Sequence, residues 1–168
     1  MRKALTLALL STALALLLLP AAAQATTQPT ATDKKVISLV NKERAKYGLA
    51  AVRFKASLTR AARAHLREMS RRGVLTHRSA NGASIGQRLI KHGYKRSGYR
   101  SWSAGENVAR ARLGSLMATP AAIVFLWMNS KQNRQVILKR EFRDVGVGIA
   151  ASGSGMRYFT LDMGRRIP

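Results

Sequence analysis

Few side chains in this sequence can do acid–base or ligand chemistry, and they are unevenly placed. Seven acids face thirty Lys and Arg over 168 residues, and the only imidazoles are His65, His77 and His92. From Arg60 to Arg112 there are thirteen Lys/Arg and two acids, Glu68 and Glu106. Glu106 stands apart because its run, Trp102-Ser103-Ala104-Gly105-Glu106-Asn107-Val108, is mostly small and apolar. Such a run reads as a half-buried strand that carries the carboxylate to the edge of a core. An ionised group taken out of water must be paired or hydrogen-bonded. The question is therefore which imidazole meets Glu106, and whether the pair acts as a general base.

His65 lies on an inward helical stripe between Ala61/Ala62 and Met69 and reads as a satisfied core histidine. His92, beside Gly93 at a helix end, reads as structural and exposed, where a cation suits the helix dipole. His77 sits in a loop with Thr76, Arg78 and Ser79, and Asn81-Gly82 turns the chain beyond it. Loops on a scaffold concentrate binding and catalytic groups, although the residues alone leave a plain loop histidine open. Two motif matches carry little. Gly82-Ala83-Ser84-Ile85-Gly86 fits a nucleophile elbow but lacks the preceding strand, so Ser84 reads as a helix cap. Gly146-Val147-Gly148-Ile149-Ala150-Ala151 resembles a dinucleotide fingerprint, yet no helix follows it.

The elements that must position these groups follow from periodicity and caps. Asp33 is an expected N-cap for a helix over Lys34 to Tyr47, stopped by Gly48. Val52-Arg53-Phe54 is a short extended link. A second helix is expected from Ala56 to Arg72, with Leu58, Ala61, Ala62, His65 and Met69 inward and Arg60, Arg63, Arg67 and Arg71 outward. Ser84 with Gln87 makes a capping box for a short helix to Lys91. Thr119-Pro120 opens a helix through Trp127 and Met128, and a shorter one spans Asn133 to Leu138. The alternating runs Val145–Ala150 and Arg157–Leu161 predict a hairpin. Helices first and strands last imply an α+β class, with helices packed on a small antiparallel sheet.

Met1-Arg2-Lys3, the apolar run from Ala4 to Pro20 and the Ala-x-Ala exits at Ala23 or Ala25 have the form of a secretory signal peptide, against the alternative of a retained anchor. The expected organisation is a signal peptide (1–25), a disordered linker (26–32) and one domain (33–168). The absence of cysteine leaves an exported domain to hold together by packing and excludes thiolate chemistry. Without Arg2 and Lys3 the net charge of +23 becomes +21, dispersed rather than run together. That charge points to anionic envelope partners, such as lipids or wall polymer. Sparse aromatics and the export pattern argue against nucleic acid.

Six pieces in order then resemble one family. They are Leu39-Val40-Asn41-x-Glu43-Arg44-Ala45, Ala61-Ala62 through Met69, and Leu75-Thr76-His77-x-Ser79. The others are Ala104-Gly105-Glu106-Asn107-Val108-Ala109, Trp127-Met128-Asn129-Ser130 and Val145-Gly146-Val147-Gly148. Together they resemble the CAP superfamily of cysteine-rich secretory, antigen 5 and pathogenesis-related 1 proteins, in its disulfide-free bacterial SCP-like branch. The resemblance implies an α-β-α sandwich, secretion, and a central cavity with a tetrad of two His and two Glu that can bind a divalent metal. Carried over, the first His falls on His77 and one Glu on Glu106. The second Glu falls on Ser130 and the second His on Asn133. Half the tetrad is therefore absent. Two ligands fall short of the three or four that zinc takes, so no metal and no cofactor is expected. The expected ligand cavity comprises His77, Glu106, Ser130 and Asn133. The expected function is non-enzymatic binding by a secreted (periplasmic or extracellular) monomer that meets a membrane only peripherally. The alternative is a hydrolase of peptide, peptidoglycan or nucleic acid, with His77 and Glu106 as candidate catalytic residues and Ser79 or Ser130 as nearby hydroxyls.

Overall fold

The structure, a computed structural model, describes residues 27–168; the expected signal peptide lies outside the described residues. Helix α1, Ala31–Lys46, begins earlier than its apolar period suggests. Its cap is Thr30, whose hydroxyl accepts from the Asp33 N–H at 3.1 Å while the Asp33 carboxylate accepts from the Thr30 N–H at 3.0 Å. Asp33 is thus the third residue of a capping box rather than the cap. Ala31 and Thr32 are helical rather than part of a linker. Arg63 also reaches the Asp33 carboxylate, at 2.5 Å.

The remaining elements are β1 (Arg53–Phe54), α2 (Ala56–Arg72), α3 (Ile85–Lys91), β2 (Ser101–Arg112), a 3-10 turn (Leu116–Ala118), α4 (Pro120–Asn129), α5 (Lys131–Ile137), β3 (Asp144–Ala151) and β4 (Met156–Ile167). The sheet runs β1-β3-β4-β2, which makes β2 an edge strand. β3, β4 and β2 pair antiparallel, but β1 pairs parallel to β3, so the sheet is mixed rather than wholly antiparallel. The parallel piece arises because the chain leaves β1 into α2 and returns beside it only after the other helices. Main-chain bonds from Arg53 to Arg143 and from Lys55 to Val145, each 2.8 Å, hold it.

Alternation sorts the strands onto two faces. Val145, Val147, Phe159, Leu161, Met163, Ala109 and Ala111 point one way and share the largest core with α1, α4 and α5. Fully buried Arg44 stitches this layer. It donates to the carbonyls of Ala50, Ile137, Lys139 and Phe142 at 2.6 to 3.2 Å. On the other face α2 lies directly against β3. A Cβ on Gly146 would run into the α2 backbone at Leu58 and Thr59, and one on Gly148 would come within 2.9 Å of the Ala62 main chain. The Gly-x-Gly of Val145-Gly146-Val147-Gly148 is therefore a close-packing device, which strands use where another backbone approaches. The result is an α-β-α sandwich whose α2 face carries two separate apolar clusters, around Leu58 and Leu89 and around Leu66 and Tyr158.

Candidate functional site

Helix α2, brought close by the two glycines, sets His65 over the same sheet face as Glu106. Glu106 sits midway along β2, buried, and accepts at both oxygens. Oε1 accepts from His77 Nδ1 at 2.9 Å, and Oε2 accepts from Arg88 Nη2 at 2.5 Å. His65 Nε2 stands 3.9 Å from Oε1. His77 is thus the imidazole that meets Glu106, with His65 behind it. Arg88 also donates to the His77 carbonyl at 3.3 Å and to Ser79 Oγ at 3.2 Å. One buried guanidinium therefore joins α3, the His77 loop and β2. Charge-assisted bonds of this kind are the stronger class.

Local sequence explains how each group arrives. Ser84 caps α3, accepting from the Gln87 N–H, while the Gln87 side chain answers the Ser84 N–H at 2.9 Å. The serine of the elbow-like motif is committed to that cap. The cap starts α3 where its one buried charged side chain, Arg88, faces β2. His65 Nε2–H donates to the Thr76 carbonyl at 2.7 Å, which anchors the residue just before His77. The tautomer follows from that carbonyl partner.

The electrostatics separate the three imidazoles. His77 has a raised pKa, chiefly because its Nδ1–H bonds to Glu106; burial opposes this, and the carboxylate's charge adds to it against Arg88. Its side chain is 60% exposed, so the ring edge away from Glu106 meets solvent. His65 has a lowered pKa, first from burial, with Glu106 opposing and Arg88 assisting. His92 is also lowered, by burial and then by Lys91, Arg60, Arg67 and Arg88. Instead of an exposed cation, that helix end carries a half-buried imidazole whose neutral form is favoured first by burial and then by the basic residues around it.

Two site residues escape a reading by motif. Arg88 is one cation among many in the sequence, and only its inward position on α3 marks it. Asp162 lies directly across from Glu106 in the β2–β4 register, fully buried, with no protein partner on either carboxyl oxygen. Its pKa is raised well above the usual carboxylate range, first by burial and then by the charge on Glu106, with Arg88 opposing. Facing residues on paired strands have Cβ atoms about 5 Å apart, and two buried acids at that spacing do not both ionise. Burial beside the Glu106 carboxylate, which Arg88 and His77 meet, favours the neutral form of Asp162. One signal was available, since Thr160-Leu161-Asp162-Met163 puts an acid inside an apolar strand.

His77 and Glu106 come together, but Ser130 and Asn133 do not join them. The Ser130 hydroxyl caps α5, accepting from the Asn133 N–H at 3.5 Å. The Asn133 carbonyl accepts from Asn107 Nδ2 at 3.0 Å, and Asn107 points to the face of β2 opposite Glu106. The edge strand thus stands between the two pairs. The metal implied by the resemblance does not fit the residues present. Both Glu106 oxygens are occupied, the Arg88 cation lies at the spot, and no group of three His/Asp/Glu among the described residues could hold an ion. The open space near the site is a cleft of about 420 Å³ between α2 and α3, lined by His65, Glu68, Asn81, Arg88, Lys91 and His92 with small alanines. Glu68 there is answered by the Ala80 N–H and by Arg72 at 3.3 Å.

Comparison with known proteins agrees with this architecture. The model of the CAP, or cysteine-rich secretory protein, family matches residues 37–163. YkwD of Bacillus subtilis (strain 168) is 34% identical over 122 residues, which are 73% of this chain and 44% of that protein. The chain spans less than half the length of the curated relatives it matches. An extracellular SCP-domain protein of Bacillus anthracis superposes with a TM-score of 0.65 at 23% identity, covering 79% of this chain and 39% of that one. An outer surface protein of Borrelia burgdorferi gives 0.68 at 18% identity over 83% and 96% of the two chains. These solved structures share its fold.

Proposed function

The chain belongs to the CAP (cysteine-rich secretory protein) family, and from that premise we propose that it is an extracytoplasmic, non-enzymatic domain that binds a polyanionic envelope ligand. The observation that carries the reading is the contrast between Glu106 and the surface beside it. Each Glu106 oxygen is engaged, Oε2 by the buried Arg88 cation and Oε1 by His77, so the carboxylate's charge is already met inside the protein. The outer side of α2 and α3, by contrast, presents Arg60, Arg67, Arg71 and Lys91, none within ion-pair distance of an acid among the described residues. Of these, Lys91 lines the cleft, and Arg60 and Arg67 line an adjoining hollow with Arg63 and His92. A dispersed field of this sign draws polyanions and speeds their encounter. Export rests on the amino-terminal pattern of basic start, apolar run and Ala-x-Ala.

The test is binding of a soluble phosphate polymer to the protein and to an Arg60→Glu/Arg67→Glu/Lys91→Glu variant, at ~50 and ~500 mM salt, which spans most of the range over which screening takes hold. The reading expects steep weakening with salt and loss in the variant. Equal binding at both salt levels sinks it. One feature favours a hydrolase instead, since an imidazole oriented by a carboxylate with its far edge in solvent can serve as a general base. Against that, Ser79 Oγ is held by Arg88 and the Ser130 hydroxyl caps α5. Turnover of a peptide or peptidoglycan substrate that disappears in His77→Ala would favour the enzyme.

A further inference from the structure

A different face carries a second message. No charged side chain occurs between Arg112 and Lys131, in a chain where 22% of residues are charged. The segment forms the end of the β2 connection, the 3-10 turn and α4. Its inner side fills the large core through Ala118, Ile123, Val124 and Trp127. Its outer side is also apolar: Leu116 is 87% exposed, Phe125 65%, and Met117, Leu113 and Leu126 about two-fifths each. Ala121 and Phe125 stand one helical turn apart on the outer stripe, and the 3-10 turn leads directly into it. A helix apolar on all sides belongs in a core, at a partner or in a membrane. Contiguous exposed apolar patches on soluble domains mark interaction sites.

The rim identifies the partner. Lys131 and Arg134 follow the patch at the start of α5, and both are exposed. Arg157 borders it from β4, where it donates to the Ala118 carbonyl at 3.0 Å. No acid lies in the 3-10 turn, α4 or α5. The patch is convex, since Leu116 projects almost wholly into solvent, so it suits a yielding surface better than a peptide or small ligand. At ten residues α4 is about 15 Å long, too short to span a bilayer but long enough to lie in its interface. We propose that the Leu116–Phe125 face docks onto an anionic lipid bilayer, with Leu116, Met117 and Phe125 entering the acyl boundary and the flanking cations meeting headgroups. This contact goes beyond polyanion binding by α2 and α3 and uses the opposite layer of the sandwich.

The chain has no cysteine, so single probes can be placed by Leu116→Cys, Phe125→Cys and, as an α2–α3 side control, Asn81→Cys, each coupled to an environment-sensitive fluorophore. The full chain is mixed with phosphatidylcholine vesicles with and without phosphatidylglycerol, some carrying brominated acyl chains. Expected are a blue shift and bromine quenching at 116 and 125, dependent on phosphatidylglycerol, with the probe at 81 remaining in water. Because the readout is local, attachment through the amino-terminal segment does not imitate it. Lys131→Glu/Arg134→Glu should lower the vesicle affinity read by quenching at 125 about thirtyfold or more, using ~1 kcal/mol per basic residue removed near an anionic surface. Probes at 116 and 125 that stay in water while vesicles are bound overturn the proposal. So does burial of those probes without vesicles as protein concentration rises, which would identify a second copy as the occupant. Loss of phosphate-polymer binding in the α2–α3 variant, with quenching at 125 intact, would separate the two faces.

Discussion

Replacing Glu106 with Gln tests the charge assignment at the centre of the site. The geometry assigns the negative charge to Glu106, which Arg88 and His77 meet, while burial favours the neutral form of Asp162 across the strand pair. Glu106→Gln keeps the size but removes the charge that Arg88 meets at 2.5 Å and His77 at 2.9 Å. Breaking a buried ion pair from one side costs about 3–5 kcal/mol, because the other charge is stranded. Two features soften the loss. Arg88 keeps the His77 carbonyl and Ser79 Oγ as acceptors, and Asp162 can release its proton and take over part of the charge. We expect about 3 kcal/mol, at the lower end of that range. Asp162→Asn, which replaces a neutral acid by a neutral amide of the same shape, should cost under about 1 kcal/mol. Urea unfolding at neutral pH reads both. With a slope of about 1.5 kcal/mol per molar, Glu106→Gln shifts the midpoint by about 2 M and Asp162→Asn by less than about 0.7 M. Equal losses in the two variants would refute the assignment, and so would a neutral Glu106→Gln.

Other outcomes follow from the same geometry. His77, with its pKa raised by Glu106, binds its proton more tightly when folded. Its stabilisation is full below about pH 6.5 and is lost as pH rises through the folded value. His65, with its pKa lowered by burial, works in the opposite sense and costs stability as pH falls below about 6.5. Unfolding midpoints measured against pH should therefore fall on both sides, and His77→Ala should flatten the alkaline limb; an unchanged limb removes His77 from the linkage. Gly146→Ala would drive a Cβ into the α2 backbone and should cost about 3 kcal/mol or more. Gly153→Ala, with open space around it, should stay within about 0.5 kcal/mol by thermal unfolding. Calorimetric titration with zinc should show no sub-micromolar site; one that is lost in His77→Ala would overturn the account of the donor set.

Much of the scaffold was legible in the order of residues, because its signals are local. The period of Leu58, Ala61, Ala62, His65 and Met69, closed by Gly73, sets α2 at Ala56–Arg72 as expected. Ser84 with Gln87, and Thr119 with Pro120, likewise announce α3 and α4 through caps made by neighbours in the chain. Boundaries moved where a distant group intervened. Asp33 serves as a capping-box acid held by Arg63 thirty residues away. Strand β4 runs on to Ile167 because β2 pairs with it to that point, past the end of its β3 pairing at Gly164. The family followed from six short motifs in order, each again local.

The composition of the site was different. The sequence by itself showed that Glu106 needed a partner, since a lone acid in an apolar run cannot be buried unpaired. It also narrowed the choice to three imidazoles. Only the tertiary structure made Arg88 the second partner and Asp162 the proton-bearing neighbour, because strand register and a helix face brought them there from 18 and 56 residues along the chain. The same pleat turned Asn107 away from the pair, toward the α5 carbonyl of Asn133 on the other face. Alternation along one edge strand therefore divided what the sequence had grouped as one cavity into two sides of a sheet.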